Sequence, residues 1–152
     1  MAQESGRDIV ERFARALRDK DFDAQDALLT DDFVEDMPQS GERTRGKANY
    51  LAASRNYPGG VGTVEPTGSR LVGAEDRWVL TPMFTQLRIE GSGDVYTYVA
   101  WVHYPNGETW QVVAIIELRD GKIAKATTWY PAPFDPPEWR APYVERFDPG
   151  AA

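Results

Sequence analysis

The 152-residue sequence has no cysteine and a single histidine, His103. The first absence removes disulfides, thiolate nucleophiles and thiolate metal sites together, and the second leaves no basis for a His-rich metal centre. One histidine also gives little support to a Ser-His-Asp triad, and no Gly-x-Ser-x-Gly elbow occurs. Long apolar runs are missing too. The longest, Val112–Ile116, is five residues, against the ~20 that a membrane-crossing helix needs. The first eight residues carry no apolar stretch of the kind a secretory signal requires. Positive charge is in deficit, with 17 Lys plus Arg against 24 Asp plus Glu and a net charge of −7. A chain of that sign repels phosphate backbones and anionic lipid. Gly59, Gly60 and Gly62 follow a helical pattern rather than a strand, so they lack the context of a phosphate-binding loop. The expectation is an acidic, cytoplasmic protein with no nucleic-acid partner, no membrane partner and no nucleotide, flavin or metal cofactor.

What is present suffices for one core, since 41% of residues are hydrophobic and 12% aromatic in a chain of single-domain length. The first third reads as helix. Ser5 and Asp8 form an N-cap with an acidic first turn, and Ile9, Val10, Phe13, Ala14 and Leu17 recur at helical spacing to about Lys20. Asp23 can cap a short second helix through Ala24, Ala27, Leu28 and Leu29. Phe33–Met37 alternates as a strand that Pro38 ends. Gly46–Tyr57 is a third helix, closed by Pro58-Gly59-Gly60. Strand-forming residues then dominate Arg77–Ile89, Val95–Tyr104, Thr109–Leu118 and Ile123–Tyr130. Val61–Gly73 is ambiguous because of Pro66 and its glycines. The segment from Pro131 to Pro149 holds six prolines among aromatic residues, which predicts an irregular, extended tail (131–152). Helices followed by antiparallel strands make an α+β layout with helices on one face of the sheet.

The turns decide which side chains share a face. Pro105 suits the second position of a type I turn with Gly107 in the left-handed bulge position, which sets Tyr98, Ala100 and Val102 opposite Ala114, Val112 and Trp110. The same reading of Arg119-Asp120-Gly121 sets Ala114 opposite Ala126 and Trp110 opposite Tyr130. One face then carries Tyr96, Tyr98, Ala100, Val102, Trp110, Val112, Ala114, Ile116, Ala126, Thr128 and Tyr130. The other carries Val99, Trp101, His103, Gln111, Val113, Ile115, Glu117, Lys125, Thr127 and Trp129. A two-residue Asn-Gly turn would instead move His103 to the face of Trp110. Both faces are apolar enough to need cover, the first by helices and the second by a second subunit, which predicts a homodimer. Glu117 and Lys125 read as a cross-strand ion pair.

The acidic stretch Asp31–Pro38 holds the strongest candidate for chemistry, because a carboxylate on a strand between helices and sheet loses hydration. Alternation sends one of Glu35 and Asp36 inward and the other outward. The order Asp21-Phe22-Asp23-Ala24, Val34-Glu35-Asp36 and Gly41–Gly46, followed by Ile116-Glu117-Leu118-Arg119-Asp120-Gly121-Lys122-Ile123 and Trp129-Tyr130, resembles the nuclear transport factor 2-like superfamily. The resemblance is to its ketosteroid isomerase and SnoaL-like members. It implies one domain over 1–152, a cone of three N-terminal helices on a strongly curved, mostly antiparallel sheet, around an apolar pocket. It places Asp36 at the isomerases' proton-moving aspartate. Their oxyanion-hole tyrosine falls at Phe13 and their protonated aspartate at about Ala114, neither a donor, so steroid isomerisation itself does not follow. The register offers Tyr98 and Tyr130 as replacement phenols, and Phe13, Trp110, Val112, Ala114 and Thr128 as the wall that binds substrate. Two functions remain: cofactor-free isomerisation, cyclisation or dehydration of a small apolar carbonyl compound with Asp36 as general base, or non-catalytic binding of a hydrophobic metabolite. Asp36 in the pocket would titrate above the ordinary aspartate range, and pairing with Arg43 or Arg45 would pull it the other way. Phe134 and Trp139 are expected to fold over the pocket mouth.

Overall fold

A computed structural model describes residues 4–60, 65–73 and 94–148. Helix α1 spans Gly6–Asp19, α2 Phe22–Leu28 and α3 Lys47–Arg55. The strands are β1 (Leu29–Met37), β2 (Glu42–Arg45), β3 (Glu65–Gly73), β4 (Val95–His103), β5 (Thr109–Arg119) and β6 (Lys122–Trp129). They form one sheet in the order β2-β1-β6-β5-β4-β3, antiparallel throughout except for the β1–β6 pair.

The start of α1 is the capping box expected from Ser5 and Asp8: the Ser5 hydroxyl accepts from the Asp8 N–H, and the Asp8 carboxylate accepts from the Ser5 N–H at 3.1 Å. Lys20 closes the helix in the left-handed conformation. The cap of α2 is Asp21 rather than Asp23, its Oδ1 accepting from Ala24 N at 3.0 Å. Leu29 belongs to β1, which starts four residues before the expected Phe33 because Leu29 pairs with Ile123 of β6. A hairpin turn over 38–41 leads from β1 into β2. The polar residues of β2 hid a strand that pairs through Asp36–Arg43 and Glu35–Thr44. Gly46 joins β2 to α3 at φ +82°, a conformation that favours glycine, and its N–H donates to Phe33 O at 2.7 Å.

The ambiguous Val61–Gly73 segment contributes β3, an edge strand among the described residues, with a register shift between Pro66 and Gly68. An edge and a bulge are the two places where a sheet tolerates proline. The expected strand Arg77–Ile89 lies outside the described residues.

The β4–β5 register is as read from the Pro105–Gly107 turn: Tyr98 pairs with Ala114, Ala100 with Val112, Val102 with Trp110. His103 is exposed, pairs with Thr109 and lies on the face away from Trp110. The β5–β6 register differs. Asp120 and Gly121 both adopt positive φ as a two-residue turn, and a bulge follows, so Ala114 pairs with Thr128 rather than Ala126. A slip of two preserves every facing side chain, so the inner face survives the correction. Tyr96, Ala100, Val102, Val112, Ala114, Ile116, Ala126 and Thr128 are buried on it, while Val99, Trp101, Val113, Ile115 and Trp129 on the outer face are only half-buried.

The core gathers Ile9, Val10 and Phe13 of α1, Leu28 of α2, Leu29 and Phe33 of β1, Tyr96 of β4, Ala114 and Ile116 of β5, and Ile123 and Ala126 of β6. After β6 the tail runs irregularly except for a 3-10 turn at Glu138–Tyr143. Phe134 and Trp139 are exposed, so the expected lid over the pocket mouth is not formed. The prolines at 136 and 137 hold the segment between these rings extended, which keeps it from turning back on the domain. No helix among the described residues is long and apolar enough to cross a membrane.

Candidate functional site

Between α3, the end of β1 and the β4–β5 turn lies a cavity of about 710 Å³, lined by Glu35, Met37, Thr44, Tyr50, Ala53, Ser54, Tyr57, Tyr104, Pro105, Asn106, Trp110 and Tyr130. Alternation along β1 puts Phe33 in the core and Glu35 and Met37 on the same side. Four of the lining residues, Tyr50, Ala53, Ser54 and Tyr57, follow helical spacing along and just beyond α3. Tyr104 and Trp110 pack as a tilted pair, 4.7 Å between ring centroids and 51° between planes. The Trp110 indole N–H donates to Glu108 Oε2 at 2.8 Å, which fixes that wall.

Among the described residues the one carboxylate in the lining is Glu35, 8% exposed. Its hydrogen-bond partner among the described residues is Thr128, whose Oγ1 donates to Oε1 at 3.0 Å. Burial raises the Glu35 carboxyl above its ordinary value, and the Thr128 hydroxyl only partly offsets this. Tyr50 packs edge-on against Phe33, with ring centroids 5.1 Å apart. Burial first, then the charge of Glu35, pushes the Tyr50 phenol well above its ordinary value, so it stays a proton donor across the working pH range. Tyr130 sits at the mouth, 39% exposed, and its backbone N–H is held by the Gln39 side chain. The same two causes, burial first and then the charge of Glu35, raise its phenol above the ordinary value.

Asp36 is placed differently from the expectation. It points away from the cavity and makes a two-pronged contact with Arg43, at 2.5 Å from Nε and 2.8 Å from Nη2, with Lys125 at 3.7 Å. The Arg43 guanidinium holds its carboxyl below the usual range, the reverse of the expected upward shift. Strand parity explains both facts: neighbouring residues of β1 face opposite sides, and the buried side belongs to Glu35. Lys125 also approaches Glu117 at 4.0 Å, the cross-strand pair read from the sequence.

Of the other expected site residues, Trp110 and Tyr130 line the cavity and Thr128 touches it through Glu35. Phe13 and Ala114 belong to the main core cluster and Val112 to a second one with Ala100 and Val102. Tyr98 packs against both clusters and is not in the lining. Tyr50 and Glu35 are the residues that sequence reasoning passed over. The signal for Tyr50 was the helical spacing from Tyr50 to Tyr57, whereas for Glu35 the alternation left the choice with Asp36 open. Among the described residues no group of three His, Asp or Glu side chains gathers as a metal site would require.

Helices ahead of an open six-stranded sheet, with a cavity between, define an NTF2-like α+β protein. A sequence model of the SnoaL-like domain matches residues 10–126, and the chain belongs to that family. The structure is similar to an NTF2-like protein of unknown function from Burkholderia xenovorans LB400, with 29% identity, 94% of this chain and 95% of that one covered, and a TM-score of 0.65. It is also similar to a candidate ketosteroid isomerase from Kribbella flavida (22% identity, 94% and 90% covered, TM-score 0.67). A third similarity is to a candidate polyketide cyclase from Xanthomonas campestris (20% identity, 83% and 90% covered, TM-score 0.61). No curated protein matches the chain.

Proposed function

We propose that this protein binds a small, largely apolar carbonyl compound in the cavity and moves a proton on it without a cofactor, as an isomerase, cyclase or dehydratase. The observation that carries the reading is Glu35: a buried carboxylate, facing the cavity, hydrogen-bonded to one hydroxyl and shifted toward the range a general base needs. In the reaction Glu35 takes a proton from the carbon next to the carbonyl. The phenols of Tyr50 and Tyr130, both cavity-lining, donate to the oxygen on which negative charge develops. The aromatic wall of Tyr104 and Trp110, two rings tilted by 51°, suits a cyclic apolar ligand. The protein works as a homodimer, joined through the outer face that bears Val113, Ile115 and Trp129.

The rival reading is a binding protein that turns nothing over, and the removal of Asp36 from the cavity favours it. One experiment separates the two. Neutral cyclic ketones and enones are screened by quenching of tryptophan emission, and those that bind are incubated with the protein in deuterated water. Exchange of the hydrogens beside the carbonyl needs only a base and no knowledge of the product. Exchange well above the buffer rate is expected. Binding without exchange leaves a binding protein, and no binding by any of them removes the cavity reading.

A further inference from the structure

The C-terminal arm, residues 131–148, carries the least satisfied apolar surface of the described chain. Phe134 is 80% exposed, Trp139 72%, Tyr143 82% and Phe147 82%, with Val144 at 48%. At roughly 150–250 Å² for each aromatic side chain, the five together leave on the order of 700 Å² of apolar surface in water. The arm lies beyond residue 126, where the match to the family ends, so the family's common core does not account for it.

The same chain leaves a second apolar surface half covered. Val99, Val113 and Trp129 sit side by side across β4, β5 and β6, with Ile115 one step along β5, and all are half-buried while their inner-face neighbours are buried. The arm is rooted at this surface, since β6 ends at Trp129. We propose that the arm of each copy docks on the outer sheet face of a second copy, in a reciprocal exchange.

Two arguments select a second copy as the occupant. The first is stiffness. Four of the five prolines between 131 and 148 lie in 131–137, ahead of the 3-10 turn Glu138–Tyr143, and a proline-rich stretch of that kind extends at about 3.1 Å per residue and resists doubling back over the face it springs from. Its rigidity also lowers the ordering cost of docking on another molecule. The second is area. Two arms, each burying about 700 Å² with a matching area on the partner, give on the order of 2,800 Å², inside the range of obligate dimers. This inference rests on the outer-face dimer proposed above and adds the arm as the element that makes it stable.

The test is sedimentation equilibrium of the full chain beside a variant carrying Phe134→Ser, Trp139→Ser, Tyr143→Ser and Phe147→Ser, all at exposed positions. The full chain is expected to dimerise, and the variant to keep its circular dichroism while dimerising at least about tenfold more weakly, as loss of aromatic anchors does. A photo-crosslinking side chain in place of Trp139, in a mixture of heavy- and light-isotope copies, is expected to join peptides of opposite label at β5 or β6. An unchanged dimer in the fourfold variant, or crosslinks only within one copy, overturns the arm's role and leaves the face-to-face dimer standing. A monomer at every concentration overturns both. Capture of the arm by lipid vesicles or by another protein in preference to a second copy also counts against it.

Discussion

Glu35→Gln is expected to lower deuterium exchange of a bound carbonyl ligand by about 10²–10⁴-fold, the usual share of a positioned base, with ligand affinity within a few-fold of wild type. Gln keeps the size of Glu and an amide oxygen that can accept the Thr128 hydroxyl, so the wall is preserved and only the proton acceptor is lost. The same substitution is expected to stabilise the fold near neutral pH. Burial raises the folded-state value of Glu35 above its unfolded value. The folded chain therefore holds this proton more tightly, and the group's contribution to stability is fully present below the unfolded value and lost as pH rises through the folded one. Gln cannot ionise, so its gain appears at neutral pH and vanishes in acid, which thermal unfolding at two pH values measures. Asp36→Asn is the control. It removes an ion pair with Arg43 outside the cavity and is expected to leave exchange within about twofold, as a surface pair contributes little. Loss of exchange in Asp36→Asn with none in Glu35→Gln would reverse the assignment.

Phe33→Ala is expected to cost about 3–5 kcal/mol in denaturant unfolding. Phe33 is 1% exposed in the main core cluster, on the same strand as Glu35, and packs against Tyr50 of α3. Truncation leaves a void where β1 meets the helices, and Tyr50 loses the ring that holds it edge-on. Variants that remain folded in the cold are thus expected to lose exchange activity as well. A cost below about 1 kcal/mol would mean that the core is centred elsewhere.

The helices and most of the sheet were legible because their punctuation is local. The Ser5–Asp8 box and the Pro105–Gly107 turn each act within a few residues, and both were found where the sequence put them. The β5–β6 pairing was misread by two residues because Asp120-Gly121 forms a turn one residue tighter than the one assumed, and a bulge between Glu117 and Leu118 adds the second. That error left the faces intact. The choice between Glu35 and Asp36 was harder, since a strand's alternation says that one faces in without saying which. The deciding interaction is tertiary: β2 presents Arg43 beside Asp36, and β6 presents Thr128 beside Glu35. β2 itself is a run of charged and polar residues that no hydrophobic pattern marks. The arm escaped for a related reason, because its aromatics called for cover and the sequence does not say from which molecule the cover comes.

The central claim is that the proton-moving carboxylate is Glu35, buried and, among the described residues, without a cationic partner. The most direct measurement is a carbon-13 NMR titration of the glutamate side chains, with the Glu35 signal assigned by its disappearance in Glu35→Gln. The account predicts a midpoint above the ordinary glutamate value of 4.5 that falls when Tyr50 is opened to water by Phe33→Ala. A midpoint at or below the ordinary value, in a folded protein, would show a solvated or paired carboxylate and contradict the account.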